Sequence, residues 1–127
     1  MRREPVETSQ APRAIGPYTQ AIRADGVVYT SGQIGLDPAT GALVPGGIEA
    51  QTRRVLENLK AVLAAAGSSF DGVLRVTVYL TDLSHFPVMN RIFAEYLDTA
   101  RPARSTVGVA ALPMGALVEM DMIALCG

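Results

Sequence analysis

The stretch Val73-Leu-Arg-Val-Thr-Val-Tyr-Leu80 decides the fold, because it is the clearest β-strand pattern in the chain. Branched and aromatic residues favour strands, and successive side chains point to opposite faces. The alternation predicts an apolar face that packs against helices, formed by Leu74, Val76, Val78 and Leu80. The other face carries Arg75, Thr77 and Tyr79. We therefore expect a central strand of a sheet.

Helical periodicity flanks this strand on both sides. From Ile48 to Ala66 the apolar residues recur at helical spacing, and Gly67 follows as a C-terminal cap. After the strand, Asp82 or Ser84 can cap a second helix, which tolerates Pro87 in its first turn. The predicted buried stripe of that helix consists of Phe86, Met89, Phe93, Tyr96 and Leu97. Both helices are expected to cover the same sheet.

Four further segments are predicted to be strands. Two precede the first helix, from Gln20 to Ala24 and from Val27 to Ile34, and the hairpin dipeptide Asp25-Gly26 joins them. Two follow the second helix, from Arg104 to Val109 and from Ala116 to Cys126. The pattern indicates a sheet with two helices on one face.

The composition is that of one compact domain. The chain has 127 residues, of which 49% are hydrophobic and 18% charged. Residues 1–14 carry several charges and two prolines without periodicity, so we predict a partly ordered N-terminal arm within a single domain over residues 1–127. The formal net charge of −1 gives no attraction to nucleic acid or to an anionic membrane. No apolar run is long enough for a membrane span or a signal peptide, and we expect a cytoplasmic protein.

The chemistry open to the chain is limited by its residue types. Cys126 is the single cysteine and His85 the single histidine, which leaves too few ligands for a usual zinc site and no disulfide. We expect no metal. Any reaction must depend on water and on oxygen-bearing or arginine side chains.

The stretch from Thr99 to Pro113 places an arginine at the start of a strand. Pro102 ends the preceding helix, and the next strand begins at Arg104. Thr106 is two residues further along this strand and therefore shares a face with Arg104. A guanidinium group can hold a carboxylate through paired N–H donors. From this stretch alone, the general distribution of charged residues favours the alternative that Arg104 is simply a surface cation.

Other residues allow more than one interpretation. Tyr18 follows the stiff turn Gly16-Pro17, and it either packs over the sheet edge or contributes to binding. Gly32, after Ser31, marks a bulge, a ligand approaching the backbone or a packing accommodation. Asn90 lies inside the second helix and is predicted to be a surface residue. The alternative is a role toward the sheet.

The last predicted strand is apolar on both faces. Glu119 and Asp121 lie among apolar residues on the face away from the helices, which suggests that this face is covered by self-association. Buried acids require a partner, and the candidate cation is Arg104.

Taken together, these motifs resemble the Rid family of reactive intermediate deaminases, also called YjgF-like proteins. The resemblance runs from about Ser9 to the C-terminus and rests on the order and spacing of several motifs: Gly16-Pro-Tyr18, Thr30-Ser-Gly-Gln33, the central strand, Asn90, Arg101-Pro-Ala-Arg-Ser105 and Val118-Glu-Met-Asp121. It implies an α+β domain of chorismate-mutase-like ββαβαββ topology, with a mixed sheet and two helices on one face. It also implies a homotrimer with clefts between subunits.

The resemblance further implies roles for individual residues. Arg104 would hold a substrate carboxylate, and Glu119 would hold water with help from Thr106, where deaminases often have cysteine. The pocket would be lined by Tyr18, Ser31, Gly32 and Asn90. The implied reaction is cofactor-independent hydrolysis of 2-imino or enamino acids to 2-keto acids and ammonia.

Three other functions remain open at this point. A non-catalytic regulatory trimer would bind small carboxylates at Arg104 without turnover. A nucleic-acid-directed protein is disfavoured by the balanced charge and by the lack of an aromatic-basic stripe. A chaperone-like or purely structural trimer would not depend on Arg104 or Glu119.

Overall fold

The computed structural model describes residues 2–127, in which two α-helices and seven strands occur. The helices are α1 (Gly47–Ala65) and α2 (Phe86–Leu97). The strands are β1 (Glu4–Val6), β2 (Ala21–Ala24), β3 (Val27–Thr30), β4 (Gln33–Ile34), β5 (Val73–Leu80), β6 (Ala103–Gly108) and β7 (Val118–Leu125).

The strands form one mixed sheet in the order β1-β2-β3-β7-β5-β6, with β4 also paired to β7. Strands β5 and β6 are parallel, and the other pairs are antiparallel. A parallel pair requires a crossover connection, and α2 supplies it. The predicted α+β fold is therefore confirmed.

One face of the sheet is buried beneath both helices. Strands β5 and β7 contribute Val76, Val78, Met120 and Met122, all at most 1% exposed. They form one apolar core with residues of both helices, including Leu59, Leu63, Met89 and Ile92. Burial of such side chains is the main favourable term in folding. Neither helix is both long and apolar enough to cross a membrane.

The opposite face, called the open face below, is covered by no helix of the described part of the chain. It carries the alternate residues of β5 and β7, among them Tyr79, Glu119 and Asp121. Large apolar side chains remain exposed outside the core at fractions of 40% to 53%, namely Tyr29, Leu74, Val107 and Leu125.

The predicted orientation of Leu74 is wrong. The pairing register of β5 with β7 shifts by one residue between Val73 and Arg75, so a β-bulge interrupts the alternation. Val73 is buried in its place, whereas Leu74 is exposed. From Val76 to Leu80 the predicted alternation holds.

The N-terminal segment is more regular than its sequence indicates. Strand β1 pairs with β2, and the side chains of Val6 and Ala11 are buried. The buried amide of Gln20 binds this segment: its Oε1 accepts from Thr8 N, and its Nε2 donates to Pro12 O at 2.8 Å. Met1, which belongs to the predicted arm, lies outside the described residues.

Candidate functional site

Arg104 lies on the edge strand β6 and points toward the helices. Paired residues on neighbouring strands share a face, and Arg104 is paired with Val76, which is paired with the buried Met122. Its Nη1 donates to Asn90 Oδ1 at 2.8 Å. Its Cζ lies 4.8 Å from the ring centroid of Phe93 and 5.5 Å from that of Phe86. We call Arg104, Asn90, Phe86 and Phe93 the arginine cluster.

Asn90 is therefore not a surface residue. It is half-buried and lies four residues after Phe86 and three before Phe93, on a single face of α2. The sequence signal was present, because an amide within a buried aromatic stripe needs a polar partner. Phe86 and Phe93 were predicted only as core residues.

Arg104 has no acidic partner among residues 2–127. The ion pairs of the described chain join Arg53 to Glu49 and Glu95, Arg91 to Glu49, and Arg101 to Asp98. All of these pairs are exposed or partly exposed. The half-buried guanidinium of Arg104 is instead contacted by one amide and two rings, all of them uncharged.

Within the described residues of one chain, Arg104 does not pair with Glu119 or Asp121. Glu119 is paired with Tyr79 of β5 and with Ile34 of β4. Since side chains alternate, Glu119 lies on the open face, and Arg104 lies on the helix-covered face. The sheet separates the two groups.

Glu119 is placed by a bulge in the opposing strand. The register of β3 with β7 and that of β4 with β7 differ by one residue, so Ser31 and Gly32 form an irregular step between the two strands. A Cβ atom at Gly32 would overlap the carboxyl group of Glu119. Only glycine leaves room for this carboxyl group beside the backbone.

The electrostatic surroundings of Glu119 favour its protonated form. Burial raises the pKa of Glu119, and the nearby carboxylate of Asp121 raises it further. Asp121 Oδ2 accepts a hydrogen bond from the Tyr79 hydroxyl at 2.9 Å. Burial, and then the bond to Asp121, raise the pKa of Tyr79. We call Gly32, Tyr79, Glu119 and Asp121 the glutamate cluster.

Tyr18 and Ser31 line a common surface cleft, of about 590 Å³, beside this bulge. Tyr18 is 56% exposed, and its backbone N–H donates to Gly16 O at 2.9 Å in a tight turn. Ser31 N donates to Gln20 O at 2.9 Å, and Ser31 Oγ donates to Thr19 O at 2.5 Å. The structure thus brings together the bulge and the turn that follows Gly16.

Thr106 lies on the same face as Arg104, because it is two residues further along β6 and is paired with Val78. It is therefore on the face opposite Glu119 in its own chain. The predicted site residues form two groups, with Arg104, Asn90 and Thr106 on one side of the sheet. Tyr18, Ser31, Gly32 and Glu119 belong to the other group.

The family model described as Endoribonuclease L-PSP matches residues 8–126 of this chain. The chain belongs to this family, the Rid or YjgF-like family. Two similar relatives cover nearly the whole chain. Protein DfrA of Myxococcus xanthus is 51% identical over 98% of this chain and 97% of its own length. The mouse 2-iminobutanoate/2-iminopropanoate deaminase is 46% identical over 98% of this chain and 93% of its own length.

Solved Rid-family structures have the same fold. A protein from Thermotoga maritima is 47% identical, covers 100% of this chain and 99% of its own, and superposes with a TM-score of 0.96. The Rid-family protein YyfA from Yersinia pestis is 48% identical over 98% of this chain and 99% of its own, with a TM-score of 0.95. TdcF from E. coli, solved with bound serine, is 39% identical over 98% of this chain and 99% of its own, with a TM-score of 0.91.

Proposed function

We propose that this Rid protein hydrolyses 2-imino acids, and their enamine tautomers, to 2-keto acids and ammonia. The observation that carries the proposal is Arg104, a half-buried guanidinium with no acidic partner in the described chain. Its free N–H donors match the planar carboxylate of such a substrate. The 46% identity to a mouse protein named for this activity supports the same reaction.

The proposed reaction begins with orientation. Arg104 binds the substrate carboxylate through paired N–H donors and holds the imine carbon next to a water molecule. Glu119 removes a proton from that water as it attacks the carbon, which gives a carbinolamine. Proton transfer to the nitrogen and collapse of the carbinolamine release the 2-keto acid and ammonia. Thr106 helps to hold the water through its hydroxyl group.

A second copy of the chain completes the site in this proposal. Arg104 and Glu119 lie on opposite faces of their own sheet, so one chain cannot present both groups to one small substrate. We propose a homotrimer in which Arg104, Asn90 and Thr106 of one subunit meet the glutamate cluster of its neighbour. The exposed apolar residues Tyr29, Leu74, Val107 and Leu125 support such an interface.

The assay generates 2-iminopropanoate or 2-iminobutanoate with an amino-acid oxidase and follows the release of the keto acid. We expect acceleration by the wild-type protein and a loss of kcat/KM of about 30-fold or more in Arg104→Ala, since the bidentate charge-assisted contact is removed. Arg91→Ala is the matched control, because Arg91 makes only an exposed ion pair with Glu49. Full activity of Arg104→Ala would contradict the proposed role.

The second candidate function is a regulatory protein that binds small carboxylates without turnover. It is favoured by the same unpaired Arg104, and the serine bound to TdcF shows that a relative holds a small carboxylate-bearing molecule. This function predicts that 2-ketobutyrate stabilises the protein against heat in an Arg104-dependent way while no imine is hydrolysed. Imine hydrolysis by the wild-type protein would exclude it.

A further inference from the structure

We propose that Phe86 and Phe93 are positioning residues that fix Arg104 in its carboxylate-binding orientation. The inference rests on the proposed function and deepens it, because it assigns a binding role to two residues that otherwise count as core. Both act through Arg104 rather than on the substrate.

The geometry places the guanidinium group against both rings at once. Cζ of Arg104 lies 4.8 Å from the centroid of Phe93 and 5.5 Å from that of Phe86, within the range of cation–π attraction. Asn90 Oδ1 accepts a hydrogen bond from Arg104 Nη1 at 2.8 Å. These three contacts define where the end of a long and otherwise flexible side chain lies.

The three groups that contact the guanidinium of Arg104 are all uncharged. A carboxylate partner would hold Arg104 equally well, but it would neutralise the guanidinium and compete with the substrate carboxylate. The rings attract the cation through their faces and accept no conventional hydrogen bond. Arg104 is thus oriented in advance while its charge and its remaining N–H donors stay available to an anion.

The three partners also form one rigid unit. Phe86, Asn90 and Phe93 lie on consecutive turns of α2, so a single helix sets all three contacts. Phe93 is 7% exposed and belongs to the core, which fixes its ring. Phe86 is half-buried and packs against the same core. Packing of α2 therefore determines the position of Arg104.

The variants separate ring character from side-chain volume. Phe86→Leu and Phe93→Leu keep an apolar side chain but lose the ring, whereas Phe93→Tyr keeps the ring. Phe70→Leu is the matched control, because Phe70 makes an edge-on contact with Tyr96 at 6.0 Å and none with Arg104. If Phe93→Leu fails to fold, Phe86→Leu carries the test, since Phe86 is partly exposed.

Three readouts are measured for each variant, two with substrate or ligand and one without. In the imine assay we expect KM to rise about fivefold in the leucine variants with kcat nearly unchanged, because the carboxylate contact exists in both the ground and the transition state. Calorimetric Kd values for 2-ketobutyrate should rise in parallel. Phe70→Leu should match the wild type in KM and Kd, and Phe93→Tyr, which keeps the ring, should lie closer to the wild type than Phe93→Leu. If the two rings were merely structural, the leucine variants would have a lower melting temperature but no rise in KM at nearly unchanged kcat.

The third readout is the NMR resonance of Arg104 Nε–Hε, assigned by its loss in Arg104→Ala. We expect the ring-current shift of this resonance to disappear in the leucine variants and to persist in Phe93→Tyr. This measurement needs neither turnover nor ligand, so it remains decisive if the wild-type protein hydrolyses no imine. An unchanged resonance in the leucine variants would overturn the inference. Unchanged KM and Kd in those variants, with a large loss in Arg104→Ala, would also overturn it while leaving the proposed function intact.

Discussion

The arginine cluster and the glutamate cluster hold their charged groups in opposite ways. Arg104 is contacted by two rings and an amide from one helix, and no acid among residues 2–127 pairs with it. Glu119 lies against a backbone bulge and beside a second acid, and both burial and that acid raise its pKa. The first arrangement leaves a positive charge without an acidic partner, and the second raises the affinity of a carboxyl group for its proton. In the proposed function, substrate binding and proton chemistry are therefore assigned to separate faces of the sheet.

The strongest test of this separation combines two inactive variants. Arg104→Ala and Glu119→Gln are each expected to lose about 30-fold or more in kcat/KM. If each site takes Arg104 from one subunit and Glu119 from another, co-expressed chains should recover about a quarter of wild-type activity under random assembly of equal amounts. Purification through two different affinity tags selects the mixed oligomers, and in mixed trimers the expected recovery rises to about a third, since one site of each trimer is intact.

The control for that experiment pairs Arg104→Ala with the double variant Arg104→Ala/Glu119→Gln, which cannot rebuild any site. No recovery in the first mixture, with mixed oligomers present, would mean that both groups act within one chain. Light scattering on the wild-type protein tests the oligomer directly. A monomer would contradict the shared site.

The next test disturbs the glutamate cluster alone. In Gly32→Ala the new methyl group displaces the carboxyl group of Glu119, and we expect kcat to fall about tenfold or more because the base is misplaced. The Kd for 2-ketobutyrate, measured by calorimetry, should change much less. Gly127→Ala is the control, since no atom lies within 4 Å of a Cβ there. An equal loss of ligand binding would show that the two clusters are not separate.

Thr106 offers a smaller perturbation on the arginine side. Thr106→Val keeps the shape but removes the hydroxyl, so we expect kcat to fall about fivefold with little change in KM. Thr106→Ser, which retains a hydroxyl, should keep most of the activity. Equal rates for the valine variant and the wild type would remove Thr106 from the mechanism.

The smallest expected effect is a shift in pH dependence. The carboxylate of Asp121 helps to raise the pKa of Glu119, so Asp121→Asn should lower that pKa. Glu119 must be ionised to accept a proton, and the acidic limb of the kcat/KM profile should therefore move to lower pH. Tyr79→Phe keeps the charge of Asp121 and should leave Glu119 with a raised pKa. A shift to higher pH in Asp121→Asn would contradict this assignment.

Much of the fold was predictable from local patterns. Alternation from Val76 to Leu80, helical spacing over α1 and Pro87 in the first turn of α2 all correspond to the observed elements. Leu74 was placed on the wrong face because a β-bulge depends on how two distant strands pair. Strand β1 was missed because its ladder forms with β2, and three residues carry no periodicity of their own.

The candidate site was only partly predictable. Spacing and family resemblance pointed to Arg104 and Glu119, and the structure places them on opposite faces rather than in one ion pair. Asn90 was predicted to be exposed because helix propensity considers a residue without its tertiary contacts. Its partner Arg104 is 14 residues away in sequence and is brought near by the crossover from α2 to β6.

The sequence by itself determined which segments are helices and strands and which residue types are available for chemistry, because these depend on periodicity and composition along the chain. The tertiary structure alone decided that Phe86, Asn90 and Phe93 surround Arg104 without neutralising it. It also decided that Gly32 leaves space for the Glu119 carboxyl group. Both outcomes depend on strand register and helix packing, which bring together residues far apart in sequence. The local pattern shows that Asn90 lies in an aromatic stripe, but it does not show which residue is its partner.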